Sequence, residues 1–225
     1  MTGNTLTEQT EAAVSVKQMA YELFQAALFD GRLKSGQLVS QKDLVKLLHL
    51  SIGALRELLP RLEAEGLVTV VPQRGIQITA IDLPMIRDAF QMRAALEREA
   101  TIHAVRNMPS MILEEQRNQH LEVLEALKNG ATDDLLNLGQ EVDSEFHDLL
   151  IRSTGNEIMI LAYKINSIRI RLIKRERISL NEQLLPNTFA DHLAIIDAIA
   201  DRNEARAIAA MDTHISNARQ RATEF

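Results

Sequence analysis

The sequence predicts a mainly α-helical protein with two domains: a small one mixing helices with a hairpin, then an all-helical bundle. Leu, Ala, Glu and Arg, all good helix formers, dominate the 225 residues, and only 4% are aromatic. Apolar residues recur at spacings of three and four along most of the chain, which is typical of amphipathic helices. Two β-branched runs flank a Pro-Gln-Arg-Gly turn within residues 67–78 and predict a β-hairpin.

Composition and charge exclude several kinds of protein. The chain has no Cys, which excludes disulfides and cysteine-ligated zinc sites. The N-terminus does not resemble a signal peptide, and no apolar run approaches the ~20 residues that span a bilayer, so we expect a cytoplasmic protein. The net charge is −6. Residues 1–80 carry as many basic as acidic side chains, so charge alone does not predict nucleic-acid binding.

The N-terminal domain is expected over residues 13–80. The polar residues 1–12 before it are expected to be disordered. From Val14 onward apolar residues recur at helical spacing, and Asp30-Gly31 ends this first helix.

Two shorter helices and the hairpin complete this domain. Ser40 and Ser51 stand where N-caps are expected, and Gly66 is suited to end the second of these helices. Strands are expected at 67–71 and 76–78. Three helices followed by a hairpin is the order of a winged helix-turn-helix, although the pattern fits another small α+β domain equally well.

The segment from Gly31 to Ile78 resembles the winged-helix domain of GntR-type transcription regulators. The resemblance is carried by the run Leu55-Arg56-Glu57-x-Leu59-x-Arg61-Leu62-Glu63-Ala64-Glu65-Gly66-Leu67-Val68. It implies a domain whose third helix enters the major groove of DNA while its wing meets phosphates or the minor groove. The residues it implies at the DNA are Lys42, Ser51, Gly53, Ala54, Arg56, Arg74 and Gly75.

Two positions depart from the family pattern. Ile52 stands where the family commonly has an arginine that contacts DNA, while Arg56 keeps the second family arginine. Pro60 lies inside the predicted helix, which it should bend because it has no N–H to donate. We therefore expect an operator that differs from the common family sequence.

The second domain is expected over residues 81–225. Asp82 is suited to N-cap its first helix, and Pro84 lies in that helix's first turn. Six helices are predicted, near 83–107, 110–129, 132–152, 157–179, 188–201 and 203–222.

Asp143 and His147 form a candidate metal-binding pair within the third of these helices. Residues four apart lie on one helical face, so a carboxylate oxygen and an imidazole nitrogen can reach one ion. His192 and His214 follow in later helices. From the pattern alone, all of these histidines could equally be ordinary partly buried residues.

The second domain resembles the FCD ligand domain of the FadR branch of the GntR family, in its shorter, six-helix VanR-like form. The matching pieces include Arg93-x-x-Leu96-Glu97, Asp143-x-x-Phe146-His147, Gly155-Asn156, His192-x-x-Ile195 and Ala209-x-Met211-x-x-His214. The resemblance implies that Asp143, His147, His192 and His214 bind one divalent metal. Three imidazoles and one carboxylate suit Zn²⁺, Ni²⁺ or Fe²⁺.

The same resemblance implies a small carboxylate effector beside the metal. Arg93 could bind its carboxylate in a bidentate fashion, or could instead pair with Glu97 on its own helix. Asn156, and Arg169 from a basic run in the fourth helix, are the other expected effector contacts, although Asn156 could instead cap the following helix and the basic run could be a solvated helical face. His49, His103 and His120 receive no role.

The favoured hypothesis is therefore a ligand-responsive transcription repressor rather than an enzyme. One such DNA-binding module buries little surface, so we expect a homodimer on a palindromic double-stranded operator. The alternative is a metal-dependent enzyme that acts on a small carboxylate.

Overall fold

The first unit of the chain, Met1–Asp82, combines three helices with a three-stranded antiparallel sheet. The computed structural model describes residues 4–178 and 181–224, with side chains from Val16 onward. The helices are α1 (Asn4–Phe29), α2 (Gln41–Leu48) and α3 (Ile52–Ala64); the strands are β1 (Leu38–Val39), β2 (Val68–Val71) and β3 (Gly75–Ile78). The strand order is β1-β3-β2. The mainly helical class with a small wing is as predicted.

Helix α1 differs from its predicted extent. It begins at Asn4, so residues 4–12, which we expected to be disordered, are helical. The segment is polar, but its Glu, Gln and Ala residues are good helix formers, and polarity by itself does not oppose a helix.

Serine caps fix the starts of α2 and α3. Ser40 Oγ accepts a hydrogen bond from the Asp43 backbone N–H at 3.1 Å, and Ser51 Oγ accepts one from Ala54 at 3.1 Å. Helix α3 continues through Pro60 to Ala64. The two helices are held by an apolar core that includes Leu44, Leu48, Leu55 and Leu62, all almost fully buried.

The wing turns at Gly75. Its φ of +129° is strained for residues with a side chain, and an added Cβ would lie 2.5 Å from Val39 O. Only glycine therefore lets β3 pass this close to β1.

The second unit, Leu83–Phe225, contains six helices within the described residues. They are α4 (Leu83–Asn107), α5 (Ser110–Leu127), α6 (Asp133–Ser153), α7 (Glu157–Arg177), α8 (Leu185–Ala200) and α9 (Glu204–Thr223). Their apolar faces bury Phe90, Phe146, Phe189, Ile196 and Ile199. Among the described residues, no helix combines the length and apolar character needed to cross a membrane.

Candidate functional site

Three histidines from three helices meet inside the second unit. His147 comes from α6, His192 from α8 and His214 from α9, and all three are at most 2% exposed. One ring nitrogen of each lies within 4.8 Å of the others, close enough for one ion to bind all three. The structure thus brings together three of the four predicted metal ligands.

The local sequence of α6 explains why polar side chains enter the core here. Asp143 and His147 lie beside Val142 and Phe146, at spacings that keep all four on the buried face. Both polar residues are 2% exposed. Burying such groups is unfavourable unless they have polar partners, so the residues that contact them make up the site.

Asp143 lies beside the histidine triad, His147, His192 and His214. Its two carboxylate oxygens have different surroundings. Oδ2 accepts a short hydrogen bond from Lys174 Nζ. Oδ1 is buried without a hydrogen-bond partner among the described residues, and so is His192 Nε2, 3.7 Å away. A carboxylate oxygen and an unprotonated imidazole nitrogen that face each other can both coordinate one cation.

A hydrogen-bonded chain fixes the tautomer of His192. His120 Nδ1 lies 2.7 Å from the carbonyl oxygen of Gln116, so this nitrogen must carry the proton. His120 Nε2 is then an acceptor, and it lies 2.9 Å from His192 Nδ1. His192 therefore carries its proton on Nδ1, which leaves its Nε2 free to bind an ion.

Carboxylates face the Nδ1 atoms of the other two histidines. Glu97 Oε2 lies 2.8 Å from His147 Nδ1, and Asp191 Oδ2 lies 3.7 Å from His214 Nδ1. The Arg93 guanidinium, which can only donate, faces the Nε2 atoms of both His147 and His214, so each Nε2 acts as an acceptor and keeps its lone pair. All three imidazoles therefore present an unprotonated Nε2.

Arg93 joins the buried carboxylate to the histidines. Its Nε donates to Glu97 Oε1 at 2.7 Å, while its Nη2 lies 2.7 Å from His147 Nε2 and 3.3 Å from His214 Nε2. The guanidinium is 2% exposed. The predicted salt bridge with Glu97 is therefore present, and it directs Arg93 into the site.

Burial and neighbouring charges set the protonation of the site. Burial lowers the pKa of His147 and of His192, and it lowers that of His214 to about 4 although Asp191 acts in the opposite direction. Burial opposes ionisation of Glu97 and Asp143, but Arg93 beside Glu97 and Lys174 beside Asp143 outweigh it and hold both pKa values well below the usual range. At neutral pH the site therefore holds neutral imidazoles and ionised carboxylates, the forms that bind metals.

Comparison with known protein families identifies the chain. Residues 16–78 match the family described as bacterial regulatory proteins, gntR family, and residues 88–217 match the FCD domain. The chain belongs to the GntR family. It is a DNA-binding transcription regulator of that family with an FCD domain, and the predicted resemblance is confirmed.

Individual GntR-family regulators resemble the whole chain. The HTH-type transcriptional repressor RspR of Escherichia coli K12 is 26% identical over 219 residues, which cover 94% of this chain and 90% of RspR. A putative GntR regulator structure from Rhodococcus sp. RHA1 has a TM-score of 0.70 at 17% identity, covering 93% of this chain and 97% of that one. A structure titled metal-free FCD domain of TM0439 has a TM-score of 0.51 at 20% identity, covering 64% and 94%.

The predicted DNA-contacting residues of this GntR-family regulator all lie in its first unit. Lys42, Ser51, Gly53, Arg56 and Arg74 are exposed, while Ala54 and Gly75 are half-buried. Ile52, where the family pattern has arginine, is 46% exposed at the start of α3. An apolar side chain is thus exposed at the N-terminus of the helix that such domains place in the major groove.

The cavity beside the histidine triad differs from the predicted effector site. Its wall includes Arg93, as predicted, but neither Asn156 nor Arg169. Asn156 Oδ1 instead accepts hydrogen bonds from Ile158 and Met159 N–H at 3.1 Å and caps α7, the alternative noted for it. Arg169 Nη1 donates to the backbone oxygen of Ile165.

Sequence reasoning missed several residues around the site. They are Glu97 and His120, which contact candidate ligand histidines, and Lys174, Thr188 and Arg221, which line the cavity. For His120 a signal exists, because it follows Leu113 and Gln116 at helical spacing on the buried face of α5. Its buried neighbour His192 is 72 residues away, so the pairing itself could not be predicted.

Proposed function

We propose that this GntR-family regulator binds one divalent transition metal through His147, His192, His214 and Asp143, and a small organic acid beside it. One observation carries the proposal: three buried imidazoles, each with Nδ1 facing a proton acceptor, present Nε2 toward a common space. Metal-binding histidines usually have such a partner at the ring nitrogen that does not bind the metal.

The donor set fits Zn²⁺, Ni²⁺ or Fe²⁺. Imidazole suits these ions, whereas Mg²⁺ and Ca²⁺ prefer oxygen ligands throughout. Asp143 would bind through Oδ1 while Lys174 holds Oδ2 and fixes the carboxylate's orientation. When bound, the metal would supply a Lewis-acid site at which an organic acid can be anchored.

Arg93 would be the protein's own contact to the effector carboxylate. Its Nη1 is buried and lacks a hydrogen-bond partner among the described residues, and Arg93 lines the cavity. A planar guanidinium fixed through Nε by Glu97 can offer both Nη groups to one carboxylate.

Binding at this site would regulate DNA binding. We propose a homodimer on a palindromic operator, because two winged helices are needed for tight and specific binding. The exposed α3 residues Ser51 and Arg56 would meet base edges. A repressor role is supported by the likeness to RspR, which is named a transcriptional repressor.

The test combines metal analysis with DNA binding. An operator recovered by binding-site selection would be titrated with the purified full chain at several salt concentrations, with and without a panel of small organic acids. We expect stoichiometric metal, steep salt dependence and an acid that changes the affinity at least tenfold. Metal-free protein, or DNA affinity unchanged by every acid, would contradict the proposal.

A further inference from the structure

The cavity beside the histidine triad continues past it along α8 and α9. Thr188 precedes His192 by four residues, and Arg221 follows His214 by seven, so each shares a helical face with a ligand. Both residues line the cavity, together with Lys174 from α7. The cavity therefore has a polar wall beyond the triad.

Two groups on this wall are buried without partners. Thr188 is 3% exposed, and its Oγ1 has no hydrogen-bond partner among the described residues. The Nε of Arg221 is buried and equally without one. Buried donors are almost always paired in native proteins, so two unpaired donors on one cavity wall indicate a place for a hydrogen-bond acceptor.

The charges of the residues around the cavity indicate the charge of the ligand that supplies this acceptor. Within the described residues, each of the three cations that line the cavity faces a carboxylate: Arg93 faces Glu97, Lys174 faces Asp143 and Arg221 faces Asp191. A divalent metal bound to neutral histidines would add two positive charges to this buried group. An anion with one negative charge would leave the group unbalanced, whereas a dianion would restore neutrality.

The spacing indicates the length of the ligand. Four residues of helix separate Thr188 from His192, which corresponds to about 6 Å at 1.5 Å per residue. That distance suits a short, extended molecule with an acidic group at each end.

We propose that Thr188 and Arg221 form a second anion subsite, so that the effector is a short dicarboxylate that reaches from the metal and Arg93 to these two residues. The inference rests on the proposed function, because the first carboxylate is held at the site described there. It adds the class of effector and the residues that select it.

The experiment compares two acids of equal chain length, succinate and butyrate, on the metal-loaded full chain by isothermal titration calorimetry. We expect succinate to bind at least tenfold more tightly than butyrate. Arg221→Gln and Thr188→Val should each weaken succinate at least fivefold and leave butyrate unchanged. Arg219→Gln, an exposed arginine on the same helix, is the matched control and should change neither.

Different results would contradict the proposed carboxylate site and the second subsite. If neither acid binds to metal-loaded protein, the proposed carboxylate site itself is contradicted, and the second subsite with it. If both acids bind with equal affinity, or if succinate binding survives both Arg221→Gln and Thr188→Val, only the second subsite is overturned. Metal content and circular dichroism of each variant identify any that failed to fold, and for these Arg221→Met and Thr188→Ala, from which the same fivefold loss is expected, take their place.

Discussion

Arg93 Nη2 lies 2.7 Å from His147 Nε2, the nitrogen through which His147 would bind a metal. An ion and a guanidinium cannot both occupy that lone pair. Metal binding would therefore turn the Nη2 end of Arg93 away, while Nε stays on Glu97. The displaced guanidinium becomes available to a carboxylate, so metal and effector binding would be linked through this one side chain.

Replacement of Arg93 should strengthen metal binding. Arg93→Gln removes a cation that competes for His147 and His214, so we expect the affinity for Zn²⁺ to rise at least tenfold while carboxylate binding is lost. Competition with a chromophoric chelator measures the first effect and calorimetry the second. Arg98→Gln, an exposed position on the same helix, is the control. A fall in Zn²⁺ affinity would show that Arg93 supports the metal site instead of competing for it.

His120 should act as a positioning residue for the metal. His120→Phe removes the acceptor that keeps the proton on His192 Nδ1, so we expect metal affinity to fall by about 10–100-fold. His120→Gln retains an acceptor and should recover part of the loss. A larger loss in His120→Gln than in His120→Phe would mean that the packing of the ring against Phe146 and Phe189 matters instead.

The sequence predicts some of this structure because certain contacts are local. Serine caps at Ser40 and Ser51 need only three residues of chain, and Asp143 and His147 share a face by helical periodicity alone. The pairing of His120 with His192 instead depends on how α5 packs against α8, which periodicity does not specify.

The same dependence on helix packing explains why two of the expected effector residues do not line the cavity. The resemblance implies Asn156, and the basic run of α7 suggests Arg169, whereas the residues on the cavity wall depend on the rotation of α7, α8 and α9 about their axes. The Glu97 partner of Arg93 can be predicted from its spacing of four residues, whereas the contact with His147 depends on how α4 packs against α6.

Arg56 should contribute to operator affinity. It is exposed on α3, so Arg56→Ala is expected to cost about 1–3 kcal/mol per half-site if it contacts a base. Fluorescence anisotropy with the selected operator measures this loss. Arg32→Ala, exposed in the same unit but outside α3, is the control. If Arg56→Ala bound the operator with unchanged affinity, Arg56 would not be a DNA contact.

Ile52 should determine part of the operator sequence. Its exposed apolar side chain is suited to contact a thymine methyl group, whereas an arginine prefers guanine. Binding-site selection with Ile52→Arg should therefore replace a thymine by guanine at one position of each half-site. Recovery of the same sequence by both proteins would count against this role.

Thermal melts of the purified chain, with and without chelator, test whether the buried histidines bind a metal. A metal bound only to the folded state adds RT ln(1 + [M]/Kd), about 2.7 kcal/mol at a hundredfold excess over Kd. We expect chelator to lower the melting temperature of the wild type and of His49→Asn, an exposed histidine outside the site, but not that of His214→Ala. Wild-type melts that superimpose with and without chelator, together with no stoichiometric metal by mass spectrometry, would contradict the account and leave a cluster of buried histidines.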